Sequence, residues 1–376
     1  MSAEHERKRP GSSRFRQSIF ALICLGAGLV FSLVLAEATL RTNLFAPSFE
    51  MNGLTFVLEP ALLYKLRPHS RSDLNAMGLR GPEFNPEHSE KKRVLFMGDS
   101  FVFGVNVPEP KSMPHVLGDL LGRGYEVINA GVQGYGPDQS LVQFMNSGLK
   151  WKPDAVILSL YPTNDFADIE KNRLFDVRGE ELVPVSPTLV APFFPEWRLG
   201  LWLRLFRHRA AEADPFRKKD VFYDPLDPSS YMDLFYTFFD DVMDIDFLDA
   251  PDSAKAQKKR AVMKAVLKKF RDELSRRNIP FLVVIIPTGE NIQDAGPFRA
   301  MKVPETRYFF NEEAARGVCE ELGIDHVNLY KMFLPRTGQI EFFDLKDGHL
   351  SERGYEYVAR FLSLWVRAQE RARKIA

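Results

Sequence analysis

The chain has 376 residues, 45% hydrophobic and 27% charged, with 50 basic side chains matching 50 acidic ones. That length holds one large domain with insertions or two smaller ones, and the apolar fraction suffices for a core, which sets aside disorder and repeat arrays. Zero formal charge excludes a chain whose main partner is nucleic acid. The two cysteines, Cys24 and Cys319, lie too far apart in sequence to suggest a disulfide framework or a cysteine-based zinc finger.

Residues 1–18 carry five basic and two acidic groups, a local charge of +3, so the remainder carries −3. Ile19 to Ala36, IFALICLGAGLVFSLVLA, follows without a charge. At about 1.5 Å per residue a helix of this length just crosses a hydrocarbon core of roughly 30 Å. The positive flank stays cytoplasmic, which sends everything after Glu37 to a periplasm or cell exterior. Ala36-Glu37-Ala38 has the small-x-small form of a cleavage site, but an apolar run of this length exceeds the usual signal-peptide core of about 7 to 15 residues and favours a retained anchor. Cys24 reads as a small apolar residue facing lipid.

Residues 37–92 contain Pro47, Pro60, Pro68, Pro82 and Pro86 and show no long period of either kind. They read as a stalk and a docking segment for the domain that begins at residue 93. There an alternation sets in. Val94 to Met97, Glu126 to Ala130, Ala155 to Leu160, Phe281 to Ile286 and the weaker Asp325 to Leu329 predict strands. A helix is expected over about Ala254 to Arg277, where Val262, Val266, Phe270 and Leu274 share a face, and another over about Glu352 to Ala372. The alternation implies an α/β fold with a mostly parallel sheet covered on both faces and a ligand site outside the carboxyl ends of its strands. Cys319, in a helical pattern, is expected to be buried and unpaired.

Phe166 to Ala250 interrupts this pattern for longer than any ordinary connection, and is expected to be an insertion with its own structure. Much of the surplus of 31 Phe lies there, with Trp197, Trp202, Tyr231 and Tyr236. Pro192 to Arg209 mixes aromatics with Arg198, Arg204, Arg207 and Arg209. Such a composition suits an interfacial helix, a lid, or a helix packed on the core.

Residues able to carry chemistry stand at the strand ends. Gly98-Asp99-Ser100 follows the first strand, where a Ser after Gly projects its hydroxyl into the cleft as a nucleophile or caps the next helix. G-x-S-x-G is not matched, since Val102 occupies the last position. Asn129-Ala130-Gly131-Val132-Gln133-Gly134-Tyr135-Gly136 brings backbone N–H groups to the second strand end without either phosphate-binding glycine pattern. Asn164, after the third, offers a neutral amide donor to an oxyanion or shapes a turn. Asp344-Leu345-Lys346-Asp347-Gly348-His349 sets a His beside carboxylates, as a general base requires. Asp325-His326 is a rival pair within a strand pattern. No metal-ligating pattern occurs, and no cofactor is indicated.

Taken together, these blocks and their order resemble the SGNH (GDSL-type) hydrolase family over about Arg93 to the C-terminus, with Phe166 to Ala250 outside the likeness. The resemblance implies a three-layer α/β/α fold with a flavodoxin-like sheet and a serine acyl-ester hydrolase. Ser100 then matches the nucleophile, Gly134 and Asn164 the oxyanion donors with the Ser100 N–H, and His349 the base. Pro162 stands where the family usually has Gly. The usual D-x-x-H would place the acid at position 346, which is Lys, so Asp347 is the first choice for orienting His349 and Asp344 the second. Asn75 to Glu83 (NAMGLRGPE), Met97 to Gly104 (MGDSFVFG) and the anchor resemble a membrane-anchored bacterial subgroup associated with cell-surface polysaccharides. That implies O-acyl groups of a glycan as substrate. Alternatives are a polysaccharide O-acetyltransferase on the same site, with a multispanning acyltransferase as partner, and a catalytically silent anchored glycan-binding or scaffold protein.

Overall fold

A computed structural model describes residues 11–40, 48–51, 53–59, 61–172, 174–185, 244, 250–292, 308–338, 340–344 and 346–375. By contact the chain divides into two units, residues 1–47 with 190–218, and residues 48–189 with 219–376. Of the first unit the described part is one helix, α1 (Gly11–Leu40). Within it Gln17–Thr39, 23 residues of mean hydropathy 2.7, is long and apolar enough to cross a membrane. Cys24 is exposed on it.

The second unit is built on a five-stranded sheet of β4 (Lys92–Gly98), β5 (Tyr125–Gly131), β6 (Ala155–Leu160), β9 (Phe281–Ile285) and β10 (Asp325–Asn328). Every neighbouring pair is parallel. Their spatial order is β5-β4-β6-β9-β10, which in chain order is 2-1-3-4-5, the flavodoxin-like winding. Parallel strands need crossovers, and the helices that make them cover both faces, so successive side chains along the middle of a strand are mostly apolar. On β4, Leu95 and Met97 face one core while Val94 and Phe96 face the other. The first core is closed by α4 (Pro137–Asn146), α5 (Pro162–Asn172), α6 (Ala254–Ser275) and, after the one-turn α7 (Gly289–Ile292), α8 (Phe310–Leu322), through residues such as Phe144, Phe166, Phe270 and Val318. The second is closed by α3 (Met113–Leu121) and α10 (Glu352–Ile375), through Leu117, Tyr355, Val358 and Leu362. The fold is thus the α/β/α sandwich that the alternation implied.

Element ends differ from expectation by at most three residues, and both ends of β6 coincide with it. Leu329 is the exception in kind, since it opens the short helix α9 (Leu329–Phe333), with Asn328 capping Tyr330 N–H. Helix α5 extends through Asn172, so Phe166 is a buried core residue of the main body. An antiparallel hairpin, β7 (Phe175–Arg178) with β8 (Glu181–Pro184), follows it. The aromatic stretch Pro192 to Arg209 and Tyr231 and Tyr236 lie outside the described residues. Cys319 is buried and free, and burial pushes its thiol up to about 12.

Residues 48–66, where no period is legible, form an antiparallel sheet, β1 (Ser48–Met51), β2 (Leu54–Glu59) and β3 (Leu63–Leu66). Its Leu54, Phe56, Tyr64 and Leu66 pack with Phe103 from the segment after β4 and with Val132 and Tyr135 from the loop after β5. Strands of four to six residues give too few alternations to reveal a period of two.

Phe270 lies fully buried between Phe144 and Phe281, its ring 5.3 and 5.6 Å from theirs. Phe270→Ala should cost about 3–5 kcal/mol in urea unfolding, because close neighbours on both sides cannot collapse into the space.

Candidate active site

Gly98 ends β4 and is followed at once by the four-residue helix α2 (Ser100–Phe103). Its φ of +148° and the packing around it require glycine, since a Cβ there would lie 2.8 Å from Val102 Cγ2. Gly131, the register partner of Gly98 on β5, serves the same approach, for its Cβ would stand 2.5 Å from the Phe103 backbone nitrogen. Two strand-end glycines therefore let α2 sit down on the sheet edge, and Asp99 caps it by accepting from Phe101 N–H at 3.0 Å.

The opposing group comes from the loop before α10. Phe343 and Leu350 form an isolated bridge, Asp344 N–H donates to His349 O at 2.8 Å, and Gly348 N–H donates to Asp344 O at 2.8 Å. This tight loop sets His349 Nε2 2.8 Å from Ser100 Oγ. On the far side of the ring, Nδ1 lies 3.5 Å from Asp347 Oδ2, and the His349 N–H donates to Asp347 Oδ1 at 3.0 Å. Partial burial works against the Asp347 carboxylate, but its hydrogen bonds and attraction to His349 hold it below the usual range. The Asp344 carboxylate instead accepts from Lys346 N–H at 3.0 Å and shapes the turn. Of the two acids, Asp347 is the one beside the imidazole. The Phe101 ring packs between His349 and Tyr161, with centroids 4.7 and 4.6 Å away.

Gly134, with φ +76°, stands in the loop after β5, and Asn164 in the first turn of α5 after β6. β5 and β6 are the two neighbours of β4, so all three loops open on one edge, at the point where the winding of the sheet reverses. The loop of Gly134 is braced from outside. Tyr64 Oη donates to Gln133 O at 3.2 Å, Tyr135 Oη donates to Tyr64 O at 2.7 Å, and Gln139 Nε2 donates to Leu62 O at 2.7 Å. His326, the rival histidine, lies on the edge strand β10 with Nδ1 3.0 Å from Ile324 O, away from this set.

Beneath the site lies a buried acidic group that sequence reasoning missed. Burial pushes the Asp99 carboxyl up to about 6, against the Phe101 hydrogen bond and the attraction of His349. Asp165, whose Oδ2 accepts from Tyr161 N–H at 2.6 Å, is held well above the usual range by burial and by Asp99 and Asp168. Asp244 is also buried but is paired with Lys259 Nζ at 2.7 Å and with Ala167 N–H at 2.9 Å. Among the described residues no group of three or more His, Cys, Asp or Glu is arranged to hold a metal.

This edge and its order of blocks coincide with a family match. The GDSL-like Lipase/Acylhydrolase family covers residues 96–357, and the chain belongs to that family. It is an acyl-ester hydrolase of the GDSL type by membership. Among solved structures, the lipase/acylhydrolase from Enterococcus faecalis is similar over 74% of this chain and 96% of its own, at 15% identity and a TM-score of 0.39. The acetyl xylan esterase AlAXEase is similar over 73% and 98%, at 16% identity and a TM-score of 0.36. No curated protein sequence matches the chain.

The Asp99 carboxyl makes stability depend on pH. Below the ordinary value of 3.8 it is protonated whether the chain is folded or not, and between 3.8 and about 6 only the folded chain keeps the proton. Its contribution is therefore complete below about pH 4 and lost as pH rises through 6. Asp99→Asn, which still caps α2, should flatten that part of the stability profile. Thermal melts should show the variant gaining on wild type from pH 4 to 7 by an amount on the order of 1–3 kcal/mol, with a residual slope from Asp165.

Proposed function

We propose that the protein hydrolyses acyl esters through a covalent acyl-Ser100 intermediate. The observation that carries this reading is the 2.8 Å contact between Ser100 Oγ and His349 Nε2 at the sheet's switch point, with Asp347 behind the ring. As Ser100 Oγ bonds to the ester carbonyl carbon, its proton passes to His349 Nε2. The tetrahedral intermediate collapses by breaking the bond to the alcohol oxygen, which takes that proton and leaves. Water then enters, loses a proton to Nε2, attacks the acyl carbon, and the proton returns to Ser100 Oγ as the acid departs. Asp347 supports the transient imidazolium, and the Ser100 and Gly134 N–H groups with the Asn164 amide receive the oxyanion.

Turnover of a short-chain aryl ester should fall by about 10³-fold or more in Ser100→Ala and His349→Ala. Asp347→Asn should lose about 10²-fold, within the range of general acid–base catalysis, while Asp344→Asn stays within about two-fold of wild type. Undiminished turnover in Ser100→Ala would overturn the mechanism, and equal losses in the two Asp variants would overturn the choice of acid.

The proposed substrate is an O-acylated glycan outside the plasma membrane, with α1 as a retained single-pass anchor. Support comes from the uncharged run of α1, the basic residues ahead of it, and the NAMGLRGPE and MGDSFVFG segments. We take residues 1–18 as the cytoplasmic tip, 19–36 as the span and residues 93–376 as the hydrolase domain. Full-length protein should stay in the membrane after alkaline carbonate washing, and protease added outside the cytoplasmic membrane should digest the domain while sparing a tag at residue 1. Release by the wash, or protection of the domain, would contradict the topology. Loss of glycan-bound acetyl on incubation with surface polysaccharide supports hydrolysis, and a gain in the presence of an acyl donor would reassign the site to transfer.

A further inference from the structure

Ser100 and His349 are separated by 249 positions, so their contact depends on whatever fixes the nucleophile segment against the base loop. Beside the Phe101 ring packed on His349, an amide side chain hydrogen-bonds across that gap. Asn106, half-buried just beyond α2, donates from Nδ2 to the carbonyl of Leu350, the residue after His349, at 3.0 Å. Its other amide atom is also engaged, since Tyr355 Oη on α10 donates to Asn106 Oδ1 at 3.2 Å. That second bond fixes which way the amide faces, and Tyr355 is fully buried.

Asn106 is itself held from below by a buried cation. Arg80, 5% exposed, donates from Nη1 to Phe103 O at 2.9 Å and to Gly104 O, and from Nη2 to Val107 O at 2.8 Å. Its Nε donates to Asp73 Oδ2 at 2.7 Å, and its guanidinium lies 5.0 Å from the Phe103 ring centroid. The carbonyls it takes flank Asn106 on both sides and include the free C-terminal end of α2, where a positive charge is favourable. Only a planar fork with donors on three nitrogens reaches all of them at once. Arg80 arrives there through a turn in which Asn75 Oδ1 accepts from Met77 and Leu79 N–H, each at 3.0 Å.

We propose that Asn106 is a positioning residue, tying the base loop to the nucleophile segment, and that Arg80 sets Asn106 by gripping the chain on either side of it. The proposal rests on the assignment of Ser100 and His349 as nucleophile and base. Asn106 touches neither the substrate nor a reacting atom; it acts by holding His349 Nε2 within reach of Ser100 Oγ.

The test uses full-length protein in detergent micelles, with aryl-ester turnover, fluorophosphonate labelling of Ser100 and thermal melting measured together. Asn106→Asp replaces the donor with an oxygen that repels Leu350 O. It should lower kcat about 10- to 100-fold, as small misplacements of catalytic groups do, with KM within about two-fold and labelling slowed in parallel. Tyr355→Phe should lose less, and the double variant should be no worse than Asn106→Asp alone, because both act through one bond. Arg80→Lys should lower kcat in the same sense. Asn106→Ser provides the same reading if the Asp variant does not fold. A folded Asn106 variant with wild-type kcat, whatever its melting temperature, overturns the proposal, as does a loss confined to KM or full additivity with Tyr355→Phe. Retained turnover in Ser100→Ala would instead overturn the underlying site assignment, and the two failures are read from different variants.

Discussion

Strand β4 is the constraint on which the rest of this molecule depends. Paired on both edges, with β5 and β6, and covered on both faces by helices, it has no freedom to slip or bend. Shifting its register would drag Gly98 out of the one place where its missing side chain is needed, against Val102 and Ser159. The position of Ser100 is therefore inherited from a buried backbone ladder and not from the loop that carries it. This is how a parallel sheet turns burial of apolar area into placement of a polar atom.

The candidate partners of Ser100 come from progressively looser surroundings. Gly134 and Asn164 follow strands that flank β4 and share its register. His349 follows no strand, and its loop is shaped by short backbone bonds within residues 342–351 and by the packing of Leu350 and Tyr355 into the second core. The further a residue lies from the central ladder, the more its placement rests on individual side chains, and Asn106 meets the loop of His349 through one such bond.

Much of this was legible in the sequence because a doubly covered parallel strand leaves a strong trace. Ala155 to Leu160 is apolar but for Ser159, and the observed strand has those limits. The candidate residues were legible too, since small and polar residues stand out directly after such runs. Arg80 and Asn106 were not. A buried guanidinium is indistinguishable in sequence from a surface one, and the carbonyls it binds belong to residues whose side chains say nothing of the contact. The buried group of Asp99, Asp165 and Asp168 was hidden for a similar reason, because desolvation depends on what packs around a carboxyl and not on its neighbours in the chain. The choice between Asp344 and Asp347 needed a direction in space, which a spacing of five or two residues from His349 does not supply.

The brace formed by β3 and Arg80 lies ahead of residue 96, where the family match begins. Tyr64 and Leu62 hold the loop of Gly134, and Arg80 holds the end of α2. The packing that supports the site thus begins ahead of the segment the family match covers. A fragment trimmed to the family boundary would keep every candidate catalytic residue yet expose the apolar undersides of Phe103, Val132 and Tyr135 to water, turning the mouth of the cleft into an adhesive surface.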